Sequence, residues 1–527
     1  MIRLGYGIAF DTISSFQVTA AAGRTPGLVQ TCTTTFPFAN ITPIGCVNAQ
    51  NVVGTTVAGG FPTLLPPPSA KPSTFFTLAP QVRGNAQPVT VFAPQMQQPT
   101  VHEWNIGIQR ELPGGFVMQA SYIGRRGEHL FMAYDINQIK VEPILDSFLR
   151  LQANNRAANC FPSGATRDNT KPACVPVFTT AQIPLLATGT GINAAFVNST
   201  TTQGELNTNN IGGTARRIED TTLFFKLRPN QQFGVITYLD NSGDSNYHAA
   251  QFTLRRRFSS GLGLSMAYTF GKSIDNQSVD PVGAASGGGL STTNSRTPSD
   301  IRDFRQERAR SDFDRTHAFT GASVWEVPVG RGRRFLGSSH GIVNQVLGGW
   351  TINSIFTVMS GEPFAVRSGS FTANGSHEGR AGVQIPVKPQ LQELPGQTFA
   401  GPVLFKPVTL TTCGQDLSQA FCLPAPGQDG AGRNIFTAPS YWNVDFGFIK
   451  TFAFTERVKL QFRTEMFNAL NHANFDNPRD ASVGSPSIQS SVFAQTCCAA
   501  VAPPSTQTIV QTGESARVIQ FALKLQF

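Results

Sequence analysis

The sequence predicts an all-β chain, an antiparallel transmembrane β-barrel of about ten strands with long extracellular loops, and three observations predict it. The last twelve residues, Ala516 to Phe527, alternate. Ile519, Phe521, Leu523, Leu525 and Phe527 fall on one side of an extended strand, and Val518, Gln520, Ala522, Lys524 and Gln526 on the other. Segments of this kind recur along the chain, joined alternately by short turns and by long irregular stretches. Charged residues make up only 14% of the 527 residues while Gly (50) and Pro (35) abound, a composition of strands and turns rather than helices. Barrel strands hide apolar residues at every second position, which accounts for a mean hydropathy of -0.11 without any run of about 18 apolar residues.

Taken in order, Ile2 to Phe10 reads as a first strand, followed by irregular Pro-, Thr- and Asn-rich sequence as far as Thr100. Val101 to Arg110 and Phe116 to Tyr122 form a hairpin across the turn Leu112-Pro-Gly-Gly115. An irregular segment from Ala133 to Ser245 leads to a second hairpin, Gln251 to Phe258 and Leu264 to Phe270, around Ser259-Ser-Gly261. A loop from Asp275 to Asp312 precedes the strands Phe313 to Val327 and Trp350 to Met359, joined by a Gly/Arg-rich connection. After another long loop, Trp442 to Phe454 turns at Thr455-Glu-Arg457 into Val458 to Met466, and a last loop reaches the closing strand beside it.

Long loops after Phe10, Met132, Ile274, Arg367 and His472 then share one side, and shorter turns near Pro113, Ser260, Gly330 and Thr455 the other. That asymmetry predicts the bacterial outer membrane, with long loops extracellular and the C-terminus periplasmic. Trp104, Tyr122, Tyr268, Trp325, Trp350, Tyr441 and Trp442 stand near strand ends, where interfacial girdles are expected. Local cysteine pairs in loop sequence, Cys32 with Cys46, Cys160 with Cys174 and Cys413 with Cys422, read as disulfides of an oxidising compartment. The pairing of the adjacent Cys497 and Cys498 stays open, because a vicinal bridge is strained.

Other classes find little in the sequence. The 41 Lys and Arg that give a net charge of +9 are interleaved with 32 acids, so no nucleic-acid partner is expected. The seven histidines are scattered without HExxH, no CxxC or HxxxH spacing accompanies the cysteines, and no nucleophile elbow is present. No catalytic, metal-binding or cofactor-binding residue is expected, and the chain reads as no enzyme. The charge-dense stretch Asp300 to Arg315 reads as a solvated, self-neutralising loop, and Gly330-Arg-Gly-Arg-Arg334 as a polar turn.

The segments VHEWNIGIQRELPGGFVMQASYIGRRGEHL (101–130), SNYHAAQFTLRRRFSSGLGLSMAYTFGKSIDN (245–276), SDFDRTHAFTGASVWEVPVGRGRRF (311–335) and YWNVDFGFIKTFAFTERVKLQFRTEMFNALNHANF (441–475) resemble the C-terminal barrel of TonB-dependent outer-membrane receptors of the Oar-like group. The resemblance implies a longer protein with a signal peptide, a plug domain and about 22 strands. Residues 1–527 are therefore expected to be its C-terminal barrel portion, without signal peptide or plug. It implies substrate binding and gated uptake in the full-length receptor, with an extracellular substrate whose identity the loops do not give. Contact with the TonB complex would run only through missing N-terminal parts. It also implies that Phe527 acts as a signal read by the barrel-insertion machinery. Arg255, Arg257, Asp445, Lys459, Arg463, Glu465 and Lys524 are expected to face the lumen, as selectivity groups or as ion-pair ladders. The competing reading is an outer-membrane adhesion or structural barrel, whose loops bind a partner while nothing passes through.

Overall fold

The computed structural model describes residues 1–12, 79–156, 177–278, 298–395, 401–455, 458–475, 477–478, 486–496 and 516–527. Its strands are β1 (Ile2–Phe10), β2 (Gln87–Phe92), β3 (Thr100–Leu112), β4 (Phe116–Asp135), β5 (Phe233–Ser259), β6 (Leu262–Asp275), β7 (Ala309–Arg310) and β8 (His317–Glu326). They continue with β9 (Trp350–Met359), β10 (Pro363–Phe364), β11 (Gly382–Val383), β12 (Phe421–Cys422), β13 (Phe436–Thr437), β14 (Tyr441–Ala453), β15 (Lys459–Phe467) and β16 (Val518–Gln526). Ten of them lie side by side in the order β1-β3-β4-β5-β6-β8-β9-β14-β15-β16, and β2 and β7 attach to β5 and β6. Each neighbouring pair of the ten is antiparallel, whereas β2 runs parallel to β5. β16 pairs with β15 as the sequence indicates, and among the described residues β1 and β16 stand at open edges.

Register makes the dyad pattern continuous around the sheet. Leu4 opposes Ile106, Ile106 opposes Tyr122, Leu254 opposes Met266, Phe356 opposes Val444, and Phe462 opposes Leu523. This face is uncovered, with Leu4 76% and Phe521 67% exposed, the reverse of a soluble sheet and the arrangement that lipid requires. The turns are set by backbone chemistry. Gly114 and Gly115 take φ of 85° and 75°, and Ser260 and Gly261 take 51° and 79°, the paired positive φ values of a tight hairpin. No helix among the described residues is long and apolar enough to cross a membrane.

The apolar cores lie outside the sheet, and here the sequence reading needs correcting. β4 has 20 residues and β5 has 27, well beyond the about 9–11 that cross a bilayer, so both project past the membrane on the long-loop side. The stretch read as an irregular loop from Ala133 is a folded unit containing α1 (Glu142–Arg156), α2 (Ala194–Asn198), α3 (Thr200–Asn207) and α4 (Ile211–Thr221). Ile144, Phe148 and Leu151 of α1 recur at helical spacing and pack with Ile211, Ala215 and Ile218 of α4 and with Leu227. Asn210 caps α4, its side chain accepting from the Gly213 N–H. A second unit follows β9, where Phe364, Phe405, Phe421, Phe436 and Phe493 cluster. The Phe421 ring meets those of Phe405, Phe436 and Phe493 edge-on, with the Phe405 and Phe421 centroids 4.9 Å apart. Each such buried side chain contributes about 1.5–3 kcal/mol, so each unit has an apolar core of its own.

Further corrections are local. Cys413 and Cys422 form a disulfide in the second unit, as expected, with Cys422 itself in β12 opposite Gly382 of β11. Cys32, Cys46, Cys160, Cys174, Cys497 and Cys498 lie outside the described residues. Tyr441 is buried opposite Met359 on the inward face, so it does not join the outer girdle. The connection after β8 contains a short helix, α5 (Gly341–Leu347). The stretch Asp300 to Arg315 is only partly solvated. Exposed Arg302 and Arg305 pair with Asp300 and Asp303, but Glu307 is buried against Arg380 of the second unit and Asp314 is buried against Arg310.

Candidate functional site

The sequence places its candidate residues on the inward face of the sheet. Register sets Asp445, Lys459, Arg463, Glu465 and Lys524 on one common face, opposite in sense to the lipid-facing row. Arg255 shares that face, between Val117 and Ser265, while Arg257 falls in the irregularity where β5 and β6 shift register. They do not oppose one another as alternating charges. Arg463 faces Ile449 and Ala522, and Glu465 faces Gly447 and Gln520. Arg463 instead donates to Gln461 Oε1 at 2.7 Å, and Asp445 accepts from the Asn468 backbone N–H at 2.8 Å. Asp445 thereby ties down the end of β15, a structural duty.

The second site is a cavity of about 250 Å³ on the loop side, lined by Arg83, Asp135, Asn137, Arg216, Arg228 and Ser376 among others. Five segments meet there: the chain before β2, the projecting ends of β4 and β5, α4, and the second unit. Arg228 is fully buried and fixed. Its Nε donates to Glu219 at 2.7 Å and its Nη2 to the Gln81 carbonyl at 2.7 Å. Arg83 pairs with Asp220. Arg216 lies over the Phe371 ring, 4.8 Å from its centroid, and burial together with the nearby Arg83 charge lowers its pKa. The Asp135 carboxylate accepts from the Asn137 and Ile236 N–H groups at 2.8 and 3.1 Å and from Ser376 Oγ at 3.2 Å. Burial nevertheless pushes its pKa up to about 6.

With Arg228 and Arg83 already paired to Glu219 and Asp220, Arg216 is the guanidinium that an acidic group entering the cavity would meet, with Asp135 as the opposing carboxylate. Such a group would relieve the poorly solvated Arg216, and protonation of Asp135 would strengthen its binding. Sequence reasoning missed all of these residues, since they come from stretches read as irregular. The one local signal was the spacing of Ile211, Ala215 and Ile218, which puts Arg216 and Asp220 on the opposite side of a helix. Among the described residues no group of three His, Cys, Asp or Glu residues is placed to hold a metal.

A sheet with an apolar outer face, short turns at one end and folded loop units at the other defines an outer-membrane β-barrel. The chain belongs to the outer membrane beta barrel domain family, whose model matches residues 1–520. A search of curated proteins finds no match by sequence. Among solved structures, the chain is similar to the outer membrane transporter YddB of Escherichia coli at 8% identity and TM-score 0.29, covering 73% of this chain and 30% of that one. It is similar to the ferripyoverdine receptor of Pseudomonas aeruginosa at 8% identity and TM-score 0.27, covering 76% and 26%. The Pseudomonas putida toluene transporter TodX matches at 7% identity and TM-score 0.16, covering 70% and 59%. The chain thus spans less than a third of the length of the first two.

Proposed function

We propose that this chain is the barrel portion of a TonB-dependent, Oar-like receptor, which captures an acidic substrate at its loop units and admits it through the lumen in the full-length protein. The observation that carries the reading is the loop-side cavity, where Arg83, Arg216 and Arg228 converge from separate segments above the inward face. Membership of the barrel family and the family-like segments along the strands support the receptor class. On this reading Arg255, Arg257, Lys459, Arg463 and Lys524 give the lumen a cationic lining, along which an anion released from the cavity would travel. Asp445 and Glu465 temper that charge.

The test uses the full-length protein purified from outer membranes. It should co-purify with the periplasmic domain of the TonB energy-coupling protein. It should also bind citrate as a probe anion, with the Arg216→Gln variant weaker by about tenfold. A complete protein that ignores the coupling protein yet binds cells or matrix would move the reading to an adhesion barrel. Citrate binding unchanged by Arg216→Gln would remove the cavity from it.

A further inference from the structure

We propose that the outer rim of the sheet carries a lipid-headgroup site, in which a Tyr–His dyad and a lysine hold the phosphate of an outer-leaflet lipid. The dyad occurs three times on the lipid-facing side. Tyr6 and His102, Tyr122 and His248, and Tyr268 and His317 each join tyrosine hydroxyl to imidazole Nδ1 at 2.8, 2.7 and 2.8 Å. In every copy the rings stack, with centroids 6.2, 6.1 and 6.2 Å apart. In every copy the histidine is the diagonal neighbour across the strand pair, two residues beyond the tyrosine's direct partner toward the loop side.

The three histidines also share a height. His102 stands ten residues before Leu112 at the turn end of β3, His248 ten before Phe258 on β5, and His317 nine before Glu326 on β8. At about 3.3 Å per residue and a tilt of about 35–45°, ten residues climb roughly 23–27 Å, the full depth of a barrel's apolar band of about 25 Å. The dyads therefore sit where acyl chains end and headgroups begin. Below them the same face offers Phe252, Leu254 and Met266, which suit acyl chains.

The copies differ in charge, and that selects one. Glu128 lies 4.0 Å from His102 Nε2, placing a carboxylate against the first copy. His317 has Phe270 as its direct cross-strand neighbour, the ring centroids 5.1 Å apart. His248 has Lys272 directly opposite on β6, with the Trp104 indole 6.1 Å away on the other side. In the tautomer whose Nδ1 accepts from the Tyr122 hydroxyl, Nε2 carries the ring proton and can donate it to a ligand. One N–H donor and one ammonium at headgroup height form a two-point contact for phosphate oxygens. A phosphorylated headgroup of the surrounding leaflet is the occupant because this surface is exposed, faces lipid and carries the matching charge.

The experiment uses the complete protein assembled in outer membranes, extracted in mild detergent and exchanged into phosphatidylcholine bilayers doped with lipid A or with its phosphatase-treated form. Lipid retained per protein is counted by native mass spectrometry. The unaltered protein should retain the phosphorylated lipid about tenfold better than the dephosphorylated one. His248→Phe combined with Lys272→Gln, which keeps the ring and the apolar face, should abolish that preference while heat-modifiable mobility reports an assembled barrel. Equal retention of the two lipids by the unaltered protein overturns the proposal, and so does a preference that survives in an assembled double variant. Should the double variant not assemble, His248→Gln takes its place under the same criteria.

Discussion

Replacing Arg380 by methionine tests whether the second loop unit is held by its buried charges. Arg380 donates from Nη2 to Glu307 at 2.9 Å and to Ser299 Oγ at 3.0 Å, from Nε to the Ala431 carbonyl at 2.8 Å, and approaches Asp429 at 3.4 Å. The side chains of Arg380, Glu307 and Asp429 are 6%, 2% and 5% exposed, so the variant leaves two carboxylates without countercharge in a dry environment. Removing one partner of such a pair costs about 3–5 kcal/mol. That corresponds to roughly two to three and a half orders of magnitude in local opening. Hydrogen exchange at Ala381, whose N–H donates to Val366, should accelerate accordingly, while the amides of β3 and β4 stay unchanged. The pH dependence should change sign as well. Burial alone would raise the Glu307 pKa, but the Arg380 charge and hydrogen bonds, with those of Ser299, hold it below its ordinary 4.5. The native contribution is therefore complete above about 4.5 and lost as pH falls through the lower folded value. Without Arg380 the carboxyl rises above 4.5, so acidification from neutral pH should steady the variant. An Arg380→Met protein whose exchange is unchanged, or whose pH response keeps the native direction, would refute the reasoning.

Other outcomes follow from the same structure. Gly124→Ala should destabilise the β3–β4 pair by about 1–3 kcal/mol in a denaturant titration, because a Cβ there would lie 2.3 Å from the Trp104 indole. Replacing Cys413 and Cys422 by serine should loosen the second unit by about 2–3 kcal/mol, seen as faster proteolysis between Thr411 and Leu423 with the sheet intact. Affinity for sulfate, an anion that keeps its charge over this range, should rise as pH is lowered from 7.5 toward 5 in calorimetric titrations, because Asp135, with its pKa near 6, loses the charge that opposes an anion. Deleting Phe527, which is 96% exposed beyond the end of β16, should lower the yield of heat-modifiable, membrane-assembled protein.

How far the sequence carried depends on whether a signal was local. The strands were legible because lipid on one side and polar surface on the other impose a period of two within ten residues, as in Phe521, Leu523 and Leu525 against Gln520, Ala522 and Lys524. Turn residues such as Gly114 and Gly261 fixed where the pattern reverses. The first loop unit carried a helical period at Ile144, Phe148 and Leu151, but its Gly-, Asn- and Thr-rich surroundings, Gly212 and Gly213 included, argued against helices. The second unit offered no period at all, since its core joins single phenylalanines as far apart as Phe364 and Phe493. The cavity was hidden for the same reason. Arg83, Asp135, Arg216 and Ser376 become neighbours only through tertiary contacts, and none of them stands in a motif.

Because each loop unit is closed by its own apolar cluster, the sheet and its crown answer to different masters. The strands are disciplined by bilayer thickness and register, where a one-residue slip would turn an entire row of side chains the wrong way. The crown has no such ruler. Its loops can be lengthened or shortened wherever Phe148 and Ile218, Phe405 and Phe421, and buried ion pairs such as Arg380 with Glu307 keep their company. What the cell displays outward can therefore be rewritten while the part embedded in the membrane stays as it is.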